Sequence, residues 1–282
     1  MNLVGEKLSE IGDATGSPHR PGHRMDSARA RRPPALDPRI PRALFLDVDG
    51  TLLEIAPTPD SVQVPERLKT LLARLTRQYS GAVAFVSGRS LAQLDRLFHP
   101  MRVPSSGLHG IERRDAQGVL HRPSMSSDRL ARAQSFLEAI VQVNPGLLLE
   151  NKLATVAVHY RLAPELAPIA RRVVSQALEI LGSGYVMLEG KMVFELKPDG
   201  FSKSTAIAAF LREPPFQGRI PIFLGDDHTD EAGFTYVEAL GGTAIHVGSN
   251  EASHARWRLS DVADVHGWLE SLLVSTAHRG KR

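Results

Sequence analysis

The stretch FLDVDGTLLE, Phe45 to Glu54, decides how the chain is to be read. An apolar run ends in two aspartates, Asp47 and Asp49, spaced two apart, and then turns at once through Gly50. Side chains alternate faces along a strand, so residues i and i+2 point the same way. At the end of a strand, both carboxylates tend to share one face. Two like charges held that close repel, and a divalent cation is one way to hold them there.

The residues around this stretch alternate between two textures. ALFLDV (43–48) and GAVAFV (81–86) are short apolar runs bounded by turn residues, as expected of strands buried on both faces. Between them Leu68, Leu71, Leu72 and Leu75 recur at i, i+3, i+4 and i+7, which predicts an amphipathic helix with Pro65 at its start. SLAQLDRLF continues the second strand into another helix. The pattern resumes later with a helix at 202–211, a strand at 219–224, a helix near 230–240 and a strand at 243–247. Strands alternating with helices at this spacing predict an α/β fold with a parallel sheet.

The middle of the chain reads differently. A helix around 128–143 precedes LLLENKLATVAVHYR, two strand-like runs about Asn151–Lys152. A helix near 164–181 precedes YVMLEGKMVFEL, again two short strands about a turn. Hairpin-like pairs with two helices predict a smaller α+β module inserted between the halves of the larger sheet. The expected division is a leader at 1–41, a core at 42–112 and 197–275, the inserted module at 113–196 and a tail at 276–282. The chain should cross between core and insert near 110–114 and 196–200.

Composition bounds the function. The net charge is +3, but eight basic and five acidic residues precede Ala43, leaving 26 of each sign in the remainder. A basic groove for nucleic acid is therefore not indicated. The first 41 residues mix Gly, Pro, Ser and Arg without periodicity and are expected to be a disordered leader. No apolar run approaches the roughly 20 residues that cross a bilayer. With no cysteine, disulfides and thiolate metal sites are excluded, which fits a cytoplasmic protein. No apolar stripe marks a dimer face, so a monomer with no membrane or nucleic-acid partner is expected.

Three strand ends carry polar residues of useful types: Asp47, Asp49 and Thr51; Ser87 and Arg89; and Asp226, Asp227 and Asp230. KPDGFSKS adds Lys203 at the start of a helix. Ligands of open α/β sheets bind outside the carboxyl ends of the strands. Each signal alone is weak; the ordered set is hard to reach by chance. The chemistry it suits is phosphoryl transfer. Asp47 and one aspartate of the 226–227 pair offer the oxygen ligands that Mg²⁺ favours. Asp47 can attack phosphorus to form an aspartyl phosphate. Asp49 is placed to protonate the leaving oxygen and then activate water, while Ser87 and Lys203 bind phosphoryl oxygens.

With those residues in view, DVDGT, the serine of VSGR, the lysine of FSKS and LGDDHTDE resemble the four motifs of haloacid-dehalogenase-type phosphatases. A finer likeness, over about residues 43–270, is to trehalose-6-phosphate phosphatases. It rests on FLDVDGTLLEIAPTPDSV, GLHGIERR, ENK with VAVHYR, VFELKPDGFSK and FLGDDHTDE. The resemblance implies a Rossmann-like core with an α+β cap, a Mg²⁺ cofactor and the sugar phosphate trehalose 6-phosphate as substrate. It assigns Asp47 as nucleophile and Asp49 as acid/base. The metal ligands it implies are Asp47, Asp226 and the backbone carbonyl of Asp49, with Asp227 and Asp230 behind them. Ser87 and Lys203 match the phosphate binders. Glu150, Lys152 and Glu195 match residues that grip the distal glucose, with Arg89, His109 and Arg161 as further candidates.

Rival readings remain at this stage. Another capped sugar phosphatase, acting on sucrose phosphate or mannosyl phosphoglycerate, shares the core motifs. A mutase also begins DxDGT. A regulatory module without catalysis normally lacks one of Asp47, Asp49, Ser87, Lys203 or Asp226, and all five are present. A dinucleotide-binding enzyme is discounted because no G-x-G-x-x-G follows the first strand.

Overall fold

The structure, a computed structural model, describes residues 32–56, 62–123, 127–151, 154–190, 192–248 and 252–274. The first strand, β1 (Arg42–Leu46), is apolar on both sides because helices cover both of its faces. It is followed by α1 (Glu66–Gln78), β2 (Val83–Val86), α2 (Leu91–Leu97) and β3 (Ser105–Gly107). Two short strands, β4 (Glu112–Arg114) and β5 (Leu120–His121), precede the second unit. That unit comprises α3 (Ser127–Gln142), β6 (Leu148–Asn151), β7 (Val156–His159), α4 (Ala167–Leu181), β8 (Tyr185–Gly190) and β9 (Val193–Pro198). The chain returns through α5 (Lys203–Phe210), β10 (Ile220–Gly225), α6 (Glu231–Ala239), β11 (Thr243–Val247), β12 (Trp257–Leu259) and α7 (Val262–Val274).

The larger sheet runs β12-β11-β10-β1-β2-β3-β4-β5. Its first six strands are parallel, and β4 and β5 pair antiparallel at the edge. Alternation along each strand sorts its residues between two apolar layers. Leu44, Leu46, Val83, Phe85, Ile222 and Leu224 pack with the leucines of α1 and with α7. Ala43, Phe45, Ala84, Val86 and Phe223 pack the other way, against α5 and α6. Here the Phe45 ring lies 5.5 Å from Phe216 and 6.0 Å from Phe210, centroid to centroid. Because β1 sits between β10 and β2, the chain on either side of it departs in opposite directions. This is the topological switch point, where such sheets hold their ligands.

The smaller sheet, β6-β7-β9-β8, is antiparallel and two-faced. Val156, Val158, Phe194 and Leu196 bury one face under α3 and α4, against Leu137, Val173, Val174 and Ala177. The alternate positions, Glu150 on β6, Ala157 and His159 on β7, and Glu195 and Lys197 on β9, fall on the other face.

Two expectations change. The large sheet keeps the chain through His121, later than the expected division between residues 112 and 113. Strands β4 and β5 are three and two residues long, and Glu-Arg-Arg and Leu-His carry no apolar alternation to announce them. At the other end, the last ten residues of the expected leader are not detached from the core. Pro33 is buried, Leu36 packs on the core, and Arg32 pairs with Asp264 at 2.7 Å. Residues 1–31 and 275–282, and with them the rest of the expected leader and the tail, lie outside the described residues.

A cavity of about 860 Å³ opens beneath residues 32–42, with Tyr79, Arg219 and Trp268 on its walls. It lies at the amino end of β1, opposite the carboxylates, and carries none of them.

Removing the Phe45 ring tests this packing. Deleting a buried aromatic costs about 3–5 kcal/mol, so Phe45→Ala should lower the unfolding free energy by that amount in urea titrations. A loss below about 1 kcal/mol would mean the aromatic layer is not close-packed.

Candidate active site

Parallel pairing brings the chemistry together. Leu46 is in register with Leu224, and the Asp47 amide donates to the Leu224 carbonyl at 3.0 Å. Asp47 and the Gly225–Asp226 segment therefore leave adjacent strands side by side. Capped by Ser202, α5 starts at Lys203 and delivers its ammonium into the same spot. Nζ of Lys203 donates to Asp47 Oδ1 at 2.8 Å and pairs with Asp230 Oδ1 at 2.6 Å. All three are buried: Asp47 is 4 % exposed, Lys203 2 % and Asp230 0 %.

Asp47, Asp226 and Asp230 each present a carboxylate oxygen, all within 4.8 Å of one another. One ammonium cannot balance three carboxylates in a buried place. Burial, together with the charges of Asp47 and Asp230, pushes the Asp226 carboxyl up to about 8. Burial also raises Asp230, to about 7, against the pull of Lys203. Asp47 moves upward for the same reason. Lys203 moves up as well, because its two carboxylate partners outweigh the burial of its charge. A surplus of hard oxygen donors that hold protons for want of a positive partner fits a divalent cation.

Gly50 is part of this arrangement. Its φ is +80°, and a Cβ there would lie 2.1 Å from Asp226 Oδ2. Only glycine leaves room for the Asp226 carboxylate over the loop.

The remaining expected residues divide into three groups. Asp227 is exposed and caps the turn at His228–Asp230, with Oδ1 accepting from the His228 amide at 2.7 Å. Asp230 thus belongs to the cluster, while Asp227 shapes the loop. Ser87 is 1 % exposed at the end of β2, its amide bonded to the Ser106 carbonyl. Asp49 does not join the other carboxylates. Its two oxygens accept a fork from Arg89, Nε at 2.7 Å and Nη2 at 2.6 Å. Arg89, a further candidate for sugar contact, pairs with Asp49.

On the second sheet, Glu195 is 7 % exposed and accepts from the Thr155 hydroxyl at 2.8 Å. Its other oxygen stands 3.9 Å from His109 Nε2, the point where the two sheets' polar residues meet. Glu150 pairs with His159 at 3.0 Å. Arg161 is exposed in the turn after β7, and Lys152 lies outside the described residues. Thr155 and His159 were not singled out in the sequence; alternation with Ala157 could have placed them, but only once the strand register was known.

A second group, Asp115, His121 and Glu213, also brings three ligand atoms together. Its carboxylates are already committed: Arg113 forks Glu213 at 2.7 and 2.8 Å, and Asp115 holds two backbone amides and His121. Among the described residues no helix is long and apolar enough to cross a membrane.

Comparison with known proteins gives a consistent result. The sequence model of the family described as trehalose-phosphatase matches residues 45–263. The chain is 44% identical to the trehalose-6-phosphate phosphatase of Escherichia coli (strain K12) over 241 residues, 85% of this chain and 89% of that protein. It is 46% identical to a probable trehalose-phosphate phosphatase of Sinorhizobium fredii over 206 residues, 73% of this chain and 77% of that protein. Among solved structures, a trehalose-6-phosphate phosphatase related protein superposes with a TM-score of 0.71 at 27% identity, covering 84% of this chain and 99% of that one. The C-terminal domain of the Candida albicans trehalose-6-phosphate phosphatase shares the fold, with a TM-score of 0.72 at 21% identity and covering 84% of this chain and 94% of that one. The chain belongs to the trehalose-phosphatase family.

The raised carboxyls make a stability prediction. Unfolded aspartates lose their protons near about pH 4. Folded Asp230 and Asp226 keep theirs to about 7 and about 8, so the native state holds more protons across that window. Stability from these groups is present at low pH and lost as the pH climbs through the folded values. In EDTA, the melting temperature should fall between about pH 5.5 and about pH 8.5, and the fall should flatten in Asp226→Asn. An identical pH dependence in both proteins would contradict the charge surplus.

Proposed function

We propose that the chain hydrolyses trehalose 6-phosphate to trehalose and phosphate, with Asp47 as the nucleophile. The observation that carries this reading is the position of Asp47. It is buried at the switch point, held by Lys203 and clustered with Asp226 and Asp230.

The roles follow from chemistry and position. Asp47 attacks phosphorus through a carboxylate oxygen, and the bond to the sugar oxygen breaks. Lys203 fixes the rotamer of that carboxylate and, with Ser87, donates to phosphoryl oxygens as charge builds on them. Asp49, carrying a proton on an oxygen released from the Arg89 fork, gives it to the departing sugar oxygen, then takes one from the water that releases phosphate from Asp47. Arg89 holds the Asp49 carboxylate in a fixed orientation at the mouth of the site.

Asp47, Asp226 and the Asp49 carbonyl would hold Mg²⁺, with Asp230 and Asp227 supporting the loop. Bound there, Mg²⁺ supplies positive charge that lets a carboxylate and a phosphate dianion approach each other. The smaller sheet acts as a cap. Glu150 and Glu195 accept hydrogen bonds from sugar hydroxyls, while Lys152 and Arg161 donate to sugar oxygens. Closing it keeps water from the phosphoenzyme until the sugar has left. A chain without cysteine and with ordinary charge balance suits a monomeric enzyme of the cytoplasm.

The test is phosphate release from trehalose 6-phosphate, sucrose 6-phosphate, glucose 6-phosphate and mannosyl phosphoglycerate, with Mg²⁺ and after EDTA. Trehalose 6-phosphate should be strongly preferred, and EDTA should abolish turnover. Better turnover of another sugar would overturn the cap assignments while leaving the aspartate chemistry in place. Separately, Asp47→Asn should lower kcat by at least about 10³-fold, because an amide cannot serve as the nucleophile. Turnover that survives this change would remove Asp47 from its role.

A further inference from the structure

Residues 107–112 form an unusual loop between β3 and β4. Leu108, His109 and Gly110 all have positive φ, at 50°, 54° and 106°. Left-handed backbone is costly for leucine, though histidine adopts it more readily, and such strain persists only where the surroundings impose it. The surroundings here are the phosphate loop. The His109 amide donates to the Ser87 carbonyl at 3.1 Å, and the Leu108 amide to the Arg89 carbonyl at 3.0 Å. The imidazole edge lies directly over Gly88, where a Cβ would meet Cε1 and Nε2 at 2.7 Å.

The same loop meets the cap. His109 Nε2 faces Glu195 on β9, whose other oxygen is held by Thr155. Leu108 and Ile111 form a small apolar cluster with Ala154, which precedes Thr155, and Phe201 packs on it. One end of the contact chain is thus Glu195, proposed above to meet the sugar. The other end is the Ser87–Arg89 segment, whose serine is proposed to bind phosphate and whose arginine forks Asp49.

We propose that His109 is a positioning residue that couples the cap to the phosphate loop. Its imidazole, wedged between Gly88 and Glu195, sets where the cap carboxylate stands when Ser87 and Asp49 are in register. His109 acts through Glu195 and Gly88 and does not read the sugar independently. The kinetic part of the test rests on the function proposed above; the structural part does not.

Two measurements decide it. In the first, hydrogen exchange is followed at the Leu108 and His109 amides in the full chain. Glu195→Gln, a change on the other sheet, should speed both by at least about threefold. Gly88→Ala, which displaces the imidazole without altering its chemistry, should do the same. Unchanged exchange in both variants would overturn the coupling. In the second, kcat/KM for trehalose 6-phosphate is measured for His109→Asn, Glu195→Gln and the double variant. Asparagine is chosen because it tolerates left-handed backbone. Coupling predicts that the double variant loses no more than the worse single one, with the loss mainly in KM. A double loss equal to the product of the two single losses would make His109 an independent sugar contact and overturn the proposal. A wild-type protein inactive on trehalose 6-phosphate would refute the function reading, and the exchange measurement would still decide this one.

Discussion

Two buried carboxylates and a half-buried third share one buried ammonium, and the site is organised around that imbalance. Asp47, Asp226 and Asp230 come from the ends of two adjacent parallel strands, and Lys203 from the first turn of α5. None of them tolerates burial alone. The sheet order places β1 beside β10, Gly50 makes room for Asp226, and the Ser202 cap starts the helix where Lys203 must enter. Two of the carboxyls relieve the surplus by keeping protons to about 7 and about 8. The same surplus makes the site receptive to a hard divalent cation, so the destabilising feature of the fold is also its chemical asset.

The second sheet complements this with a different economy of polar groups. One face is sealed by α3 and α4, which frees the other to carry Glu150, His159 and Glu195 without disturbing the core. Glu195 stays nearly buried because Thr155 satisfies one oxygen and His109 approaches the other. On the function proposed above, the sugar contacts belong to one sheet and the phosphate chemistry to the other. The strained loop at Leu108–Gly110 is where the two must agree.

Much of this was legible in the sequence. The apolar runs ending at Asp47, Ser87 and Asp226 announced buried strands with polar ends, and Leu68, Leu71, Leu72 and Leu75 announced a helix face that is indeed buried. What was hidden depended on long-range register. The sequence placed Asp230 in the loop behind the metal ligands, but only the fold shows its carboxylate turned back against Lys203. The fork from Arg89 to Asp49 joins residues 40 apart in the chain, so only the fold shows it. Strands β4 and β5 pair through their backbones, and neither Glu-Arg-Arg nor Leu-His carries an apolar period to betray them. The segment from Arg32 to Pro41 looked like leader by composition, yet one ion pair and a few apolar contacts hold it to the core.

In the proposed reaction the Asp47 carboxylate, poised by Lys203, takes the phosphoryl group from trehalose 6-phosphate. The most direct measurement is a rapid acid quench during turnover, followed by borohydride reduction and peptide mapping. Acyl phosphates are reduced by borohydride while free carboxylates are not, so a phosphorylated Asp47 is converted to homoserine. Homoserine is expected at position 47 alone, dependent on substrate and absent without a divalent cation. Full turnover with Asp47 unmodified, or with the label at another residue, would contradict it.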